Sequence, residues 1–156
     1  MNPRLPIPAQ QMVSLDDVRS RLTRLWMIGG GAPFLLLVVQ SLSHVYDPSV
    51  NKVWSWFLPN ILPSMGIMVS ALAYTALDPL TTGTMVRKSF VSLATWLSIA
   101  YLFLVSLTIL AQPFAATAVE DRIALMNQSN LWLGPMQGLV SSAIGALFVT
   151  KEKKKD

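Results

Sequence analysis

Between Trp54 and Leu77 the chain runs for 24 residues without a charged side chain, and two prolines, Pro59 and Pro63, stand four apart inside the run. At ~1.5 Å rise per residue, such a run is longer than the ~30 Å hydrocarbon core of a bilayer, so it predicts a membrane-spanning helix. The prolines set a problem for that helix. Pro63 has no N–H for the carbonyl of Pro59, and Pro59 has none for that of Ser55, so two carbonyls in the first half lose their helical donors. Lipid offers no replacement, and this half is expected to face protein or a wet cavity. Asn60, between the prolines, carries both donors and acceptors.

Three further apolar stretches bring the expected spans to four, at about residues 25–43, 54–77, 89–111 and 131–150. Only 13% of the 156 residues are charged and 53% are hydrophobic, against about 25% charged in a soluble domain. The expected fold is therefore all-α: a polytopic membrane protein built as a four-transmembrane-helix bundle over residues 25–150. Residues 1–13, with Pro3, Pro6 and Pro8, read as a Pro-rich N-terminal arm. Residues 14–24 read as an amphipathic juxtamembrane helix. Ser14 is its N-cap, Asp16 and Asp17 lie near its positive end, and Leu15, Val18 and Leu22 recur at helical spacing. Asp78 to Lys88 is a turn-rich connector. Gln112 to Asn130 is the longest loop, in which residues 118–126 are expected to form a short surface helix. Bends are expected at Pro33, Pro59, Pro63 and Pro135.

Lysine and arginine placement sets the orientation. Ten of the 12 basic residues fall on one side: Arg4, Arg19, Arg21, Arg24, Arg87, Lys88, Lys151, Lys153, Lys154 and Lys155. Lys52 and Arg122 fall on the other. With an even number of spans, both termini are expected in the cytoplasm. Apart from Arg4, the ten also serve as topology and lipid anchors, and residues 151–156 form a Lys-rich tail suited to anionic headgroups. This placement makes the excess positive charge a membrane feature, with no nucleic acid implied.

Small residues form two stripes, Gly66, Ser70 and Ala73 on the second span and Gly134, Gly138, Ser142 and Gly145 on the fourth. Such stripes let helices approach closely. The second and fourth helices are expected to pack through them within one chain, with self-association of the fourth as the alternative. Gln40, Asn60, Ser106 and Gln137 fall at similar depth, roughly 6–9 Å from the non-cytoplasmic interface at ~1.5 Å per residue. They are expected either to hydrogen-bond across helices or to line a polar path.

The chemistry excludes much. The chain has no cysteine and one histidine, so thiolate and histidine-cluster metal sites are excluded and no cofactor is implied. Ionisable residues deep in the spans, the mark of proton relays and voltage sensors, are missing. No nucleotide-binding or hydrolase motif occurs, so no catalytic residue is expected and the chain is not read as an enzyme. His44, Asp47, Glu120, Asp121 and Arg122 read as solvated loop charges.

The stretches WSWFLPNILPSMGIMVSALAY and NLWLGPMQGLVSSAIGALFV resemble small four-helix membrane proteins of bacterial conflict and defence loci. That resemblance implies a membrane effector or accessory component controlled by a separate soluble sensor. The cytoplasmic segments, roughly 24, 11 and 6 residues, are too short to fold as a sensor domain themselves. The leading expectation is an oligomerising pore or channel-like protein of the bacterial inner membrane. It would partner the bilayer, further copies of itself and a soluble cytoplasmic protein. The alternatives are a scaffold or anchor subunit, and a carrier of an uncharged small solute.

Overall fold

The computed structural model describes residues 12–77 and 84–149. A strand β1 (Met12–Ser14) leads into helix α1 (Leu15–Leu42), followed by α2 (Val50–Leu77). A second strand β2 (Met85–Arg87) leads into α3 (Lys88–Ala115), followed by α4 (Val119–Phe148). The Pro-rich arm up to residue 11, residues 78–83 of the connector and the Lys-rich tail with Lys151, Lys153, Lys154 and Lys155 lie outside the described residues.

All four helices are long and apolar enough to cross a membrane, which marks a multi-pass membrane protein. Each buries one stripe and leaves the rest apolar. The buried stripe of α1 runs Leu15, Val18, Leu22, Trp26, Gly30, Pro33 and Leu37, and that of α2 runs Val53, Trp56, Phe57, Asn60, Ile61, Ser64 and Met68. Outside these stripes Ile28, Leu35, Leu62, Val69, Leu93, Trp96, Phe103 and Leu139 are exposed. An apolar belt on that scale would be a liability in water and is the required surface in lipid.

Helices α1 and α2 form one antiparallel hairpin and α3 and α4 another, with α1 packed on α3 and α2 on α4. The strands hold the hairpins in register. β1 and β2 pair antiparallel about Val13 and Val86, and the N–H of Leu15 continues to the carbonyl of Thr84 at 3.0 Å. Both parallel helices, α1 and α3, thus start from one ribbon. The sequence reading gave this region an arm and a connector; three-residue strands with no turn signal between them leave no periodicity to read.

Two boundaries also differ. The expected loop from Gln112 to Asn130 contracts to residues 116–118, because Val119 starts α4 and the supposed surface helix is its first two turns. Ile123 and Met126 continue the buried stripe of α4 through Ser129 and Leu133, while Glu120 and Asp121 suit its positive end. In α1 the helix runs unbroken through Gly29, Gly30, Gly31 and Pro33. A Cβ at Gly29 would come within 2.8 Å of Leu102 Cδ1, so glycine there permits the close approach of α1 to α3.

The small-residue stripes do not join α2 to α4. Gly66, Ser70, Ala73, Gly134, Gly138 and Ser142 are exposed and Gly145 is half-buried. A Cβ at Gly66, Gly134, Gly138 or Gly145 would meet nothing within 4 Å. The reason is angular: Gly134 follows buried Leu133 as Gly145 follows buried Ile144, and one residue rotates a helix face by about 100°. The two helices do pack together, through the polar contacts described next.

Candidate functional site

The interface of α2 with α4 is a ladder of hydrogen bonds set among apolar side chains. From one end to the other, Trp56 Nε1 donates to Ser129 Oγ at 3.1 Å, and Asn60 Nδ2 donates to Asn130 Oδ1 at 3.2 Å. Gln137 Nε2 then donates to the Pro59 carbonyl at 2.6 Å, and the Ser64 and Ser141 hydroxyls meet at 3.1 Å. The third rung resolves one of the two difficulties posed by the prolines. The Pro59 carbonyl is the one left without a donor by Pro63, and the Gln137 amide supplies it. A second case lies on α3, where Pro113 frees the carbonyl of Ile109 and Gln112 Nε2 donates to it at 3.1 Å. Two glutamines thus repair two proline-interrupted helices, as backbone at membrane depth requires.

Asn60 is the hub. It is buried, and its amide also donates to the Trp56 carbonyl at 2.7 Å. Tyr101, fully buried on α3, directs its hydroxyl to the Asn60 carbonyl at 2.7 Å and to Asn60 Oδ1 at 3.1 Å. This contact joins α2 to α3, which otherwise touch little, so it bridges one diagonal of the bundle. Tyr101 in turn stacks on Trp26 of α1 with ring centroids 6.0 Å apart. All four helices are therefore coupled through one polar and aromatic centre.

Of the four residues expected at one level, the structure brings Asn60 and Gln137 together and leaves the others apart. Gln40 lies at the end of α1, where its Oε1 accepts from the Tyr46 hydroxyl at 2.8 Å. Ser106 is half-buried and takes no part in the ladder. Trp56 is buried and points inward, whereas Trp54 donates to Ser41 Oγ at 3.1 Å. Sequence reasoning missed Tyr101, Ser129, Asn130, Ser64, Ser141 and Gln112. Tyr101 shares a helical stripe with Ala94, Ser98, Val105 and Gln112, and Asn130 sits one residue before the expected span; those positions were the available signals.

Arg19, expected among cations facing the headgroups, is turned inward. It is only 7% exposed. Its Nε and Nη2 donate to the carbonyls of Leu147 and Phe148 at 3.1 and 3.2 Å, and its guanidinium lies 5.9 Å from the Phe148 ring centre. Those carbonyls belong to the last turn of α4, which lacks helical donors, so Arg19 caps the negative end of that helix. It also bridges α1 to α4 and puts the start of α1 and the end of α4 at one end of the bundle. Arg24 donates to Ser20 Oγ, and Arg21, Arg87 and Lys88 are exposed.

At the opposite end, α1 closes in a Schellman motif. The N–H of His44 reaches the Ser41 carbonyl and that of Val45 the Gln40 carbonyl, with His44 in the left-handed region at φ 58°. His44 Nδ1 and Asp47 Oδ2 are 2.6 Å apart on the exposed surface. Arg122 Nε donates to the Ala116 carbonyl at 3.0 Å, so a second arginine binds the end of a helix. Tyr46 is buried here, which pushes its hydroxyl above the ordinary tyrosine value; the Gln112 amide and the Arg122 charge pull the other way. Its neutral form is therefore favoured by folding. Stability from this group is fully present below the unfolded value of 10.0 and is lost as pH rises beyond it. Tyr46→Phe should cost about 1 kcal/mol at neutral pH through the lost bond to Gln40. The gap from wild type should narrow above pH 10, read by unfolding in detergent across the alkaline range.

Between α1 and α3 at the ribbon end lies a cleft of about 400 Å³. Leu22, Leu25, Val91 and Ile99 line its depth, and Asp17, Arg21 and Lys88 line its mouth. Among the described residues no group of three or more His, Asp or Glu is placed to hold a metal ion. Comparison of the chain with protein-family models, curated proteins and solved structures gave no match.

Proposed function

We propose that this chain is a non-enzymatic component of the bacterial inner membrane, a rigid anchor that works with a soluble cytoplasmic partner and does not conduct through its own centre. The observation that carries this reading is the consumption of the central polar groups. Asn60, Gln137, Ser64 and Tyr101 bond to other helices, so none of these four is free to line a path for a solute or ion, and the unpartnered polar atoms among the described residues, on Thr23, Trp26, Ser98 and Gln112, are buried. A carrier of an uncharged solute is disfavoured on the same ground. The docking surface for the partner is the ribbon end, where Asp16, Arg21, Arg24, Arg87 and Lys88 are exposed. Both termini on the cytoplasmic side, the orientation that the placement of the basic residues favours, would put that surface in reach of a soluble sensor of the kind found in defence loci.

A second reading is favoured by the outward face of Gly134, Gly138 and Ser142. If that face joins copies of the chain, a permeability path runs between copies and the protein is a pore-forming effector. Membrane potential in bacteria expressing the chain, alone and with its genomic neighbours, separates the two. The anchor reading expects intact potential in every case. Depolarisation that disappears in Gly138→Leu would replace it with the assembled pore, since leucine there meets no atom of its own chain within 4 Å at Cβ. In an unassembled chain Gly134→Ala and Gly138→Ala should each stabilise α4, by up to about 1 kcal/mol.

A further inference from the structure

We infer that the cleft between α1 and α3 is a binding site for one anionic phospholipid of the leaflet at the ribbon end, seating its phosphate and the upper part of one acyl chain. The inference rests on the membrane placement of the helices and on neither reading of the function.

The cleft changes character along its length as a lipid does. Its charged end is formed by Arg21 and Lys88, with Asp17 as the one carboxylate beside them. Its other end is hydrocarbon, formed by Leu22, Leu25 and Ile99. Lys88 and Ile99 are three helical turns apart on α3, which at ~1.5 Å per residue separates the two ends by about 16 Å. The ion pairs of the described residues are Arg19 with Asp16 and His44 with Asp47, so among these residues Arg21 and Lys88 have no carboxylate partner. The start of α3 adds to the imbalance. Its first turn has no acidic residue and its N-cap, Arg87, makes no side-chain cap bond, leaving the positive helix end uncompensated. At about 400 Å³ the cleft is of small-ligand size.

Charge and surroundings choose the occupant. Exposed Leu93 and Trp96 follow Val91, Ser92 and Thr95 on the same helix, so the cleft opens into the apolar belt, where lipid is the solvent. Two cations against one carboxylate then select an anionic headgroup over a zwitterionic one. The Ser14 and Ser92 side chains at the mouth are further donors to phosphate oxygens.

The test uses the purified full chain in a neutral detergent, titrated with dioleoyl phosphatidylglycerol or dioleoyl phosphatidylcholine and read by native mass spectrometry. One phosphatidylglycerol per chain is expected, held roughly fivefold more tightly than phosphatidylcholine, the net of two cations and one carboxylate near an anionic headgroup. Inorganic phosphate should not displace it. Arg21→Gln with Lys88→Gln should abolish the preference, Val91→Trp should block both lipids, and Lys52→Gln at the other end should change nothing. Equal retention of the two lipids by wild type, an unchanged preference in the double variant, or displacement by free phosphate overturns the inference. Resistance of the same chains to alkaline extraction from membranes keeps that failure distinct from a failure of membrane placement.

Discussion

Asn60→Leu is expected to destabilise the bundle by about 1–3 kcal/mol, although the substitution makes the second helix more apolar. The side chain it removes serves Tyr101 of α3, Asn130 of α4 and the Trp56 carbonyl. Leucine leaves the Tyr101 hydroxyl with the backbone carbonyl as its remaining acceptor and the Asn130 amide with no partner across the interface. Two interhelical bonds are lost with the side chain, each worth about 0.6–1.7 kcal/mol in membranes. Unfolding in mixed micelles reads the loss. Tyr101→Phe, which removes one spoke of the same hub, should cost about 1 kcal/mol. Equal losses for the two would contradict the role of Asn60 as hub.

Arg19→Ala carries the other large expected effect, about 2–3 kcal/mol. Two charge-assisted bonds to the last carbonyls of α4 are lost together with the favourable position of a cation at a helix C-terminus. The cost of burying the guanidinium is recovered, which keeps the net below the sum of the bonds. Arg19→Lys should recover part of the loss, because an ammonium keeps the charge and loses the two-pronged fork. Amide exchange should show the effect concentrated in the last turn of α4. Arg24→Ala, at an exposed residue bonded to Ser20 alone, should stay within about 0.5 kcal/mol.

The helices were legible in the sequence because lipid demands long apolar runs: the second and third expected spans lie inside α2 and α3, and the first and fourth fall on α1 and α4 and run just past their C-terminal ends. The faces were not. A membrane helix is apolar on its buried and lipid sides alike, so hydrophobic spacing does not say which way Gly134 or Gly66 points. The need for donors at Pro59 was legible from Pro63 alone; that Gln137 of α4 would meet it was not, because the match depends on the register of two segments 78 residues apart. Arg19 was misread for a related reason. Interleaved with Arg21 and Arg24 it has the pattern of a surface collar, and only the end of α4 arriving beside it turns it into a cap. Pro113 and Gln112 escaped because the third span was expected to stop at Ala111, one residue before the pair.

The central claim is that glutamine side chains supply the missing donors at two proline interruptions, Pro63 and Pro113, so that these polar residues help hold the bundle closed. The most direct test is a double-mutant cycle between Gln137 and Pro63. Pro63→Ala gives the Pro59 carbonyl a backbone donor of its own, so the Gln137 amide becomes dispensable. Gln137→Leu is expected to cost about 1–2 kcal/mol in the wild-type background and close to nothing in the Pro63→Ala background. An equal cost of Gln137→Leu in both backgrounds, or none in either, would show that the amide does other work and would contradict the account.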